Sequence, residues 1–131
     1  MSITGILLLY ILFRLKHFLC DFVLQSNWMA LNKGKPGRQG LYPLFAHAGV
    51  HGLGTLIVTL LMMPFFWWLA ICDVFIHAAI DRIKAVMSEE AKLSPRQHKY
   101  WVMYGLDQEA HNFTHLCFIV LIVLSTGPVQ F

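Results

Sequence analysis

Apolar runs interrupted every fourth residue by an ionisable side chain set the pattern of this chain. Asp73, His77 and Asp81 stand four apart in an otherwise apolar stretch, and the interval recurs at His17/Asp21/Gln25, His47/His51 and Asp107/His111/His115. On an α-helix this spacing stacks the side chains on one face, about 5 to 6 Å from turn to turn. Between these polar teeth lie runs without a charged residue, Ile6–Phe13, Leu56–Met63 and Phe118–Leu124. The pattern predicts four helices, at about 3–31, 42–62, 65–87 and 96–126. The glycine-rich, basic segment Asn32–Gly40 reads as a loop, Met62-Met63-Pro64 as a tight turn, and Ser88–Pro95 as the second loop.

Composition turns this into a membrane architecture. The chain has 131 residues, 57% of them hydrophobic and 13% charged, where soluble domains carry about a quarter charged. Its mean hydropathy is +0.59. At roughly 20 residues per span the length accommodates four transmembrane helices and little else. The expected fold is an all-α, integral membrane four-helix bundle forming a single transmembrane domain. The N-terminal run has no basic leader or small-residue cleavage site and is expected to be a retained first helix.

Charge orients the bundle. Lys33, Lys35, Arg38, Arg82, Lys84, Lys92, Arg96 and Lys99 flank the two longer loops, and the opposite side has no basic residue. By the positive-inside rule both loops are cytoplasmic and both termini outside. Phe65–Trp68 would form an aromatic belt at the membrane boundary. Every polar tooth then lies in the cytoplasmic half or near the midplane. The net charge of +3 is modest, and no nucleic-acid partner is expected. Membrane lipid is the expected partner, with a homo-oligomer allowed. Cys20, Cys72 and Cys117 show no C-x-x-C pairing and read as small buried hydrophobes.

Six histidines and four aspartates at a common interval exceed what helix adhesion requires, because polar groups in hydrocarbon are costly and usually face a protein interior or wet cavity. Imidazole and carboxylate together are ligands for zinc, iron or manganese. The candidate metal ligands are His17, Asp21, His47, His51, His77, Asp81, Asp107, His111 and His115. One or two divalent ions are expected, zinc first, with iron or manganese as alternatives. Asp21 and Asp81 are the candidate catalytic carboxylates. Arg14, Gln25 and Asp73 are expected to bind substrate or orient ligands, and Asp73 lies deepest. Arg14 either pairs with a carboxylate or holds an anionic substrate group. Lys16 and Arg82 are expected to snorkel toward headgroups. Gly49, Gly52 and Gly54 would let a neighbouring helix approach the second helix. His98 reads as a solvated interfacial residue and Thr114 as a back-bonded hydroxyl.

The order H-x3-D-F-x-L-Q at His17–Gln25, a loop lysine soon after, H-x3-H at His47–His51, H-x3-D-R-x-K at His77–Lys84 and D-Q-x2-H at Asp107–His111 resembles a family of small bacterial inner-membrane proteins described only as a domain of unknown function. The resemblance covers essentially the whole chain and implies a multi-pass protein of the bacterial inner membrane. A looser similarity is to membrane-bound metal-dependent hydrolases, which also set histidines and aspartates at cytoplasm-facing helix ends. The expected function is an intramembrane metal-dependent hydrolase of a lipid-linked or amphiphilic substrate. The alternatives are a metal or proton carrier or sensor, a di-iron oxidative enzyme, and a bis-histidine haem protein.

Overall fold

A computed structural model describes residues 1–127. The chain is all-α, with α1 (Ile3–Phe18), α2 (Asn27–Asn32), α3 (Gly37–Met62), α4 (Leu69–Glu90) and α5 (His98–Ser125). The helices α1, α3, α4 and α5 neighbour one another in a closed ring, and the short α2 lies against α3.

The first predicted helix divides in two. Its α-helical ladder widens at Leu19–Val23 into one π turn, closed by Leu24 N–H donating to Leu19 O at 2.9 Å. Ser26 then restarts the helix by accepting from Met29 N–H at 3.3 Å. A π turn inside an α-helix is often found at functional sites, and here it contains Asp21. The helix predicted at 42–62 starts earlier, at Gly37, and carries Pro43 internally. The helix predicted at 65–87 is preceded by a 3₁₀ turn, Pro64–Phe66, and starts properly at Leu69. Gly127, just past α5, has φ 85°, a conformation glycine adopts without Cβ strain; Pro128, the expected stop, lies outside the described residues.

Only α3 among the described helices is long and apolar enough to cross a membrane. The reason is local. The π turn leaves α1 with 16 residues, and the buried polar teeth lower the apolarity of α4 and α5.

Along each long helix the inward face changes character. At one end Leu9, Phe13, Val58, Phe66, Leu69, Phe118, Ile119 and Ile122 form a continuous apolar core. At the other, His17, His47, His51, His77, Asp81, Asp107 and His111 are buried together. On α3 the sequence interval becomes a physical ladder, since His47, His51, Thr55 and Thr59 are all 0% exposed. Small residues set the spacing in this half, where Leu44 and Ala48 of α3 pack on Ala78 of α4. A Cβ on Gly52 would stand 2.3 Å from Val74 Cγ2 and 3.0 Å from the Ala70 carbonyl, so glycine allows the α3–α4 approach. Gly54 makes room for the Lys16 side chain, whereas Gly49 faces open space and admits no neighbour.

Large apolar side chains are exposed on every long helix. Leu61, Phe65 and Leu124 are 74%, 82% and 78% exposed, and α1, α4 and α5 add Ile11, Leu15, Phe75, Ile83, Phe113 and Val120. Of the Phe65–Trp68 quartet, Phe65 and Trp67 face outward while Phe66 enters the core. Cys20 is buried, Cys72 partly buried and Cys117 exposed, so the expectation of three buried thiols holds for the first alone.

Candidate metal centre

Asp21 is the hub of the polar half. It is the central residue of the π turn, and its carboxylate faces α3. Asp21 Oδ1 is 3.0 Å from His51 Nε2 and 3.3 Å from His47 Nε2, and Oδ2 is 3.2 Å from His17 Nε2. Gln108 Nε2 donates to Oδ2 at 3.0 Å, fixing the carboxylate from α5. The Gln25 amide lies against His47, its Nε2 at 2.9 Å from His47 Nε2, because the chain leaves the helix at residues 24–26 and folds over the α3 histidine.

A second carboxylate, Asp81, faces the same space from α4. Its Oδ2 is 3.5 Å from His47 Nε2 and 3.6 Å from His77 Nε2, and its Oδ1 is 3.7 Å from His111 Nε2. Two sets of donor atoms come within 4.8 Å of one another and could each hold an ion: Asp21, His47, His51 and His77, and His77, Asp81 and His111. His77 belongs to both. Its ring is sandwiched, with centroids 3.6 Å from His51 and 4.0 Å from His111, both stacked.

The polar atoms left over fit a cation. Buried polar groups are nearly always hydrogen-bonded, so exceptions need a reason. Among the described residues both ring nitrogens of His77, Nδ1 of His17, His51 and His115, and Oδ1 of Asp107 are buried without a partner. A histidine packed between two others with neither nitrogen bonded is costly as a structural residue and reasonable as a ligand.

Six of the nine sequence-predicted ligands therefore converge in these sets. His17 stands beside Asp21 but outside them. Asp107 lies at the rim, with Oδ1 3.7 Å from His111 Nε2 and Oδ2 3.5 Å from Lys84 Nζ. His115 is drawn to a different partnership. Lys16 Nζ donates to Asp73 Oδ2 at 2.6 Å and lies 3.2 Å from His115 Nε2, and Thr55 Oγ1 donates to the same Asp73 oxygen at 2.6 Å. Phe13 stacks on His115 at 5.0 Å, closing this group against the apolar core. Asp73 thus has its cation already.

Several side chains depart from expectation. Lys16 does not snorkel outward; it is buried with Asp73. Arg82 binds the loop, donating to the carbonyls of Gly34 at 2.7 Å and Lys35 at 3.0 Å. Arg14 is exposed and makes no ion pair among the described residues, because the buried face of α1 runs through Leu9, Phe13, Lys16 and His17 and leaves Arg14 on the outer side. His98 is exposed, and Thr114 donates to the Ala110 carbonyl at 3.0 Å.

The site residues to which the sequence pattern assigns no site role are Lys16, Lys33, Thr55, Lys84, Tyr104 and Gln108, although Lys84 and Gln108 stand in the H-x3-D-R-x-K and D-Q-x2-H runs. A signal existed for Lys16: a deep Asp73 needs a counter-charge, and basic residues in the first helix were the cations nearest its depth. Thr55 also continues the His47/His51 interval.

The cluster opens on a polar cavity of about 150 Å³, lined by Asp21, Gln25, Lys33, Asp81, Lys84 and Gln108, among others. Residues 7–130 match the model of a family described as protein of unknown function DUF3307. The chain belongs to that family. No curated protein matches it, and no solved structure does. Within the DUF3307 match lie all the His and Asp residues of the two donor sets, along with Lys16, Lys33 and Lys84.

Proposed function

We propose that this chain is an intramembrane metal-dependent hydrolase of a lipid-linked or amphiphilic substrate, with a one- or two-ion His/Asp centre in the cytoplasmic half of a four-helix bundle. One observation carries the reading: two donor sets, Asp21/His47/His51/His77 and His77/Asp81/His111, share a histidine whose ring nitrogens have no other partner. Facing helices of a bundle are a common framework for such sites. Zinc suits the mixed imidazole and carboxylate donors best, with iron and manganese as alternatives.

Embedding in a membrane, read here as the bacterial inner membrane, draws support from the apolar outward surface. Exposed apolar side chains cover all four long helices, far beyond the patches of a few hundred Å² usual on soluble monomers. With the basic loops cytoplasmic, the polar cavity faces the cytoplasm.

When bound, a divalent ion supplies Lewis-acid polarisation and makes hydroxide available near neutral pH. The protein's part is orientation. Asp21 and the α3 histidines form one wall, held by Gln108 and Gln25. His111 and Asp81 form the other. Asp81 lies where the cavity meets the histidines and is the group positioned to take a proton from water. The apolar core above the Lys16–Asp73 pair keeps the far side dry.

The test is elemental analysis of protein purified without added metal, joined to hydrolysis assays on amphiphilic phosphoesters and amides. Bound zinc and turnover, both lost in His77→Ala, are expected. Folded, metal-free protein at full activity overturns the reading. Bound iron shifts it to oxidative chemistry, and zinc flux into proteoliposomes without hydrolysis shifts it to a carrier.

A further inference from the structure

Two ammonium groups stand at the mouth of the cluster, and both are held by its carboxylates. Lys33 Nζ donates to Asp81 Oδ2 at 2.7 Å, and Lys84 Nζ lies 3.5 Å from Asp107 Oδ2 and 5.5 Å from the centre of the Tyr104 ring. Lys33 thus occupies an oxygen of a carboxylate that belongs to a cation-binding set. An ion bound there and the Lys33 ammonium compete for one carboxylate, and like charges this close repel.

The geometry lets the lysine yield without moving the chain. Lys33 sits at the C-terminal end of α2, and its backbone segment is fixed by Arg82 through the Gly34 and Lys35 carbonyls. Its four-carbon stem can swing the charge while the backbone stays. Both lysines border the polar cavity, together with Gln25 and Gln108. Three carboxylates at the mouth, Asp21, Asp81 and Asp107, face these two cations, so a single divalent ion makes the site net positive. A neutral ester or amide leaves that single positive charge uncompensated, whereas an anionic phosphate ester offsets it, a singly charged phosphodiester in full.

We propose that the mouth is a phosphate-recognition site, in which Lys33 leaves Asp81 when a cation fills the cluster and, together with Lys84 at the rim, holds the phosphate oxygens of the substrate. This rests on the metal-centre reading above and names its substrate class as phosphate-bearing. Ammonium–phosphate contacts are charge-assisted and suited to selecting such a group. The lysines then act in two settings: as internal counter-ions in the metal-free protein, and as an anion clamp in the loaded one.

The test is calorimetric titration of the full chain in detergent micelles with inorganic phosphate, zinc content being measured on the same sample. Zinc-loaded protein is expected to bind phosphate, and metal-free protein about tenfold more weakly or less. Lys33→Met and Lys84→Met are each expected to weaken phosphate binding by about tenfold while keeping zinc, and Lys33→Arg to restore most of it. If Lys33→Met does not fold, Lys84→Met, altering the more exposed side chain, decides. Zinc bound without phosphate binding, or unchanged affinity in the lysine variants, overturns this proposal alone. No zinc uptake overturns the metal centre with it. Phosphatidic acid in mixed micelles that displaces phosphate identifies a lipid source, and failure to displace identifies a soluble one; displacement by uncharged diacylglycerol as effectively overturns phosphate recognition.

Discussion

The interior of this molecule has two halves that obey opposite rules. In the apolar half, Leu9, Phe13, Leu69 and Ile122 fill space and have no bonding demands. In the polar half the same four helices bury imidazoles and carboxylates, several with unpartnered atoms. A helix bundle needs only the first kind of interior to fold. The second kind costs stability and has to be explained by what it binds, and the boundary between them is one ion pair, Lys16–Asp73.

That boundary gives the sharpest test of the contrast. Lys16→Met leaves Asp73 buried and uncompensated, and is expected to cost about 3 to 5 kcal/mol in detergent unfolding. Lys16→Met combined with Asp73→Leu should recover much of the loss; a double variant as unstable as the single one would show that the pair is not what couples the halves. Phe13→Ala, in the apolar half, should cost about 3 to 5 kcal/mol as well. Its zinc content is expected to stay at the wild-type level.

In the polar half the order of effects reverses. His77→Ala is expected to abolish bound zinc while changing metal-free stability by less than Phe13→Ala does, since neither His77 nitrogen has a hydrogen bond to lose. Zinc at about a hundred times its dissociation constant should stabilise the wild type by about 2.7 kcal/mol, an increment absent from His77→Ala. Equal thermal shifts in both proteins would remove the distinction. The smallest effect is expected at Gly52→Ala, where the added methyl meets Val74 and Ala70 and costs about 1 to 3 kcal/mol, read as a lowered unfolding temperature.

The site was more legible than the fold. An interval of four residues carries its own geometry, so the comb on each helix could be read without knowing how the helices pack. The convergence of Asp21, His47, His51, His77, Asp81 and His111 follows from that regularity. Partners brought in from other helices were not legible. Lys16 and Asp73 are 57 positions apart and Lys33 and Asp81 48, and no local pattern encodes either pair. The split of the first helix left a trace in Ser26, a good N-cap, but the π turn before it widens a run whose apolar pattern barely changes. Membrane crossing also read more strongly along the chain than helix by helix, because the polar teeth that face inward count against the apolarity of α4 and α5.

The π turn at Leu19–Val23 makes the chain sensitive to length at one spot. It accommodates one residue more than a regular helix would, and each residue of α-helix turns the chain by about 100°. Removing a single residue between Leu19 and Leu24 would rewind the segment as a regular α-helix, so the chain beyond it would keep its course while Asp21 would lose the place the wider turn gives it beside His47 and His51. Lys16 and Asp73, one ahead of the turn and the other on another helix, would keep their ion pair. A one-residue deletion there should therefore spare the bundle and disable the Asp21 wall of the mouth.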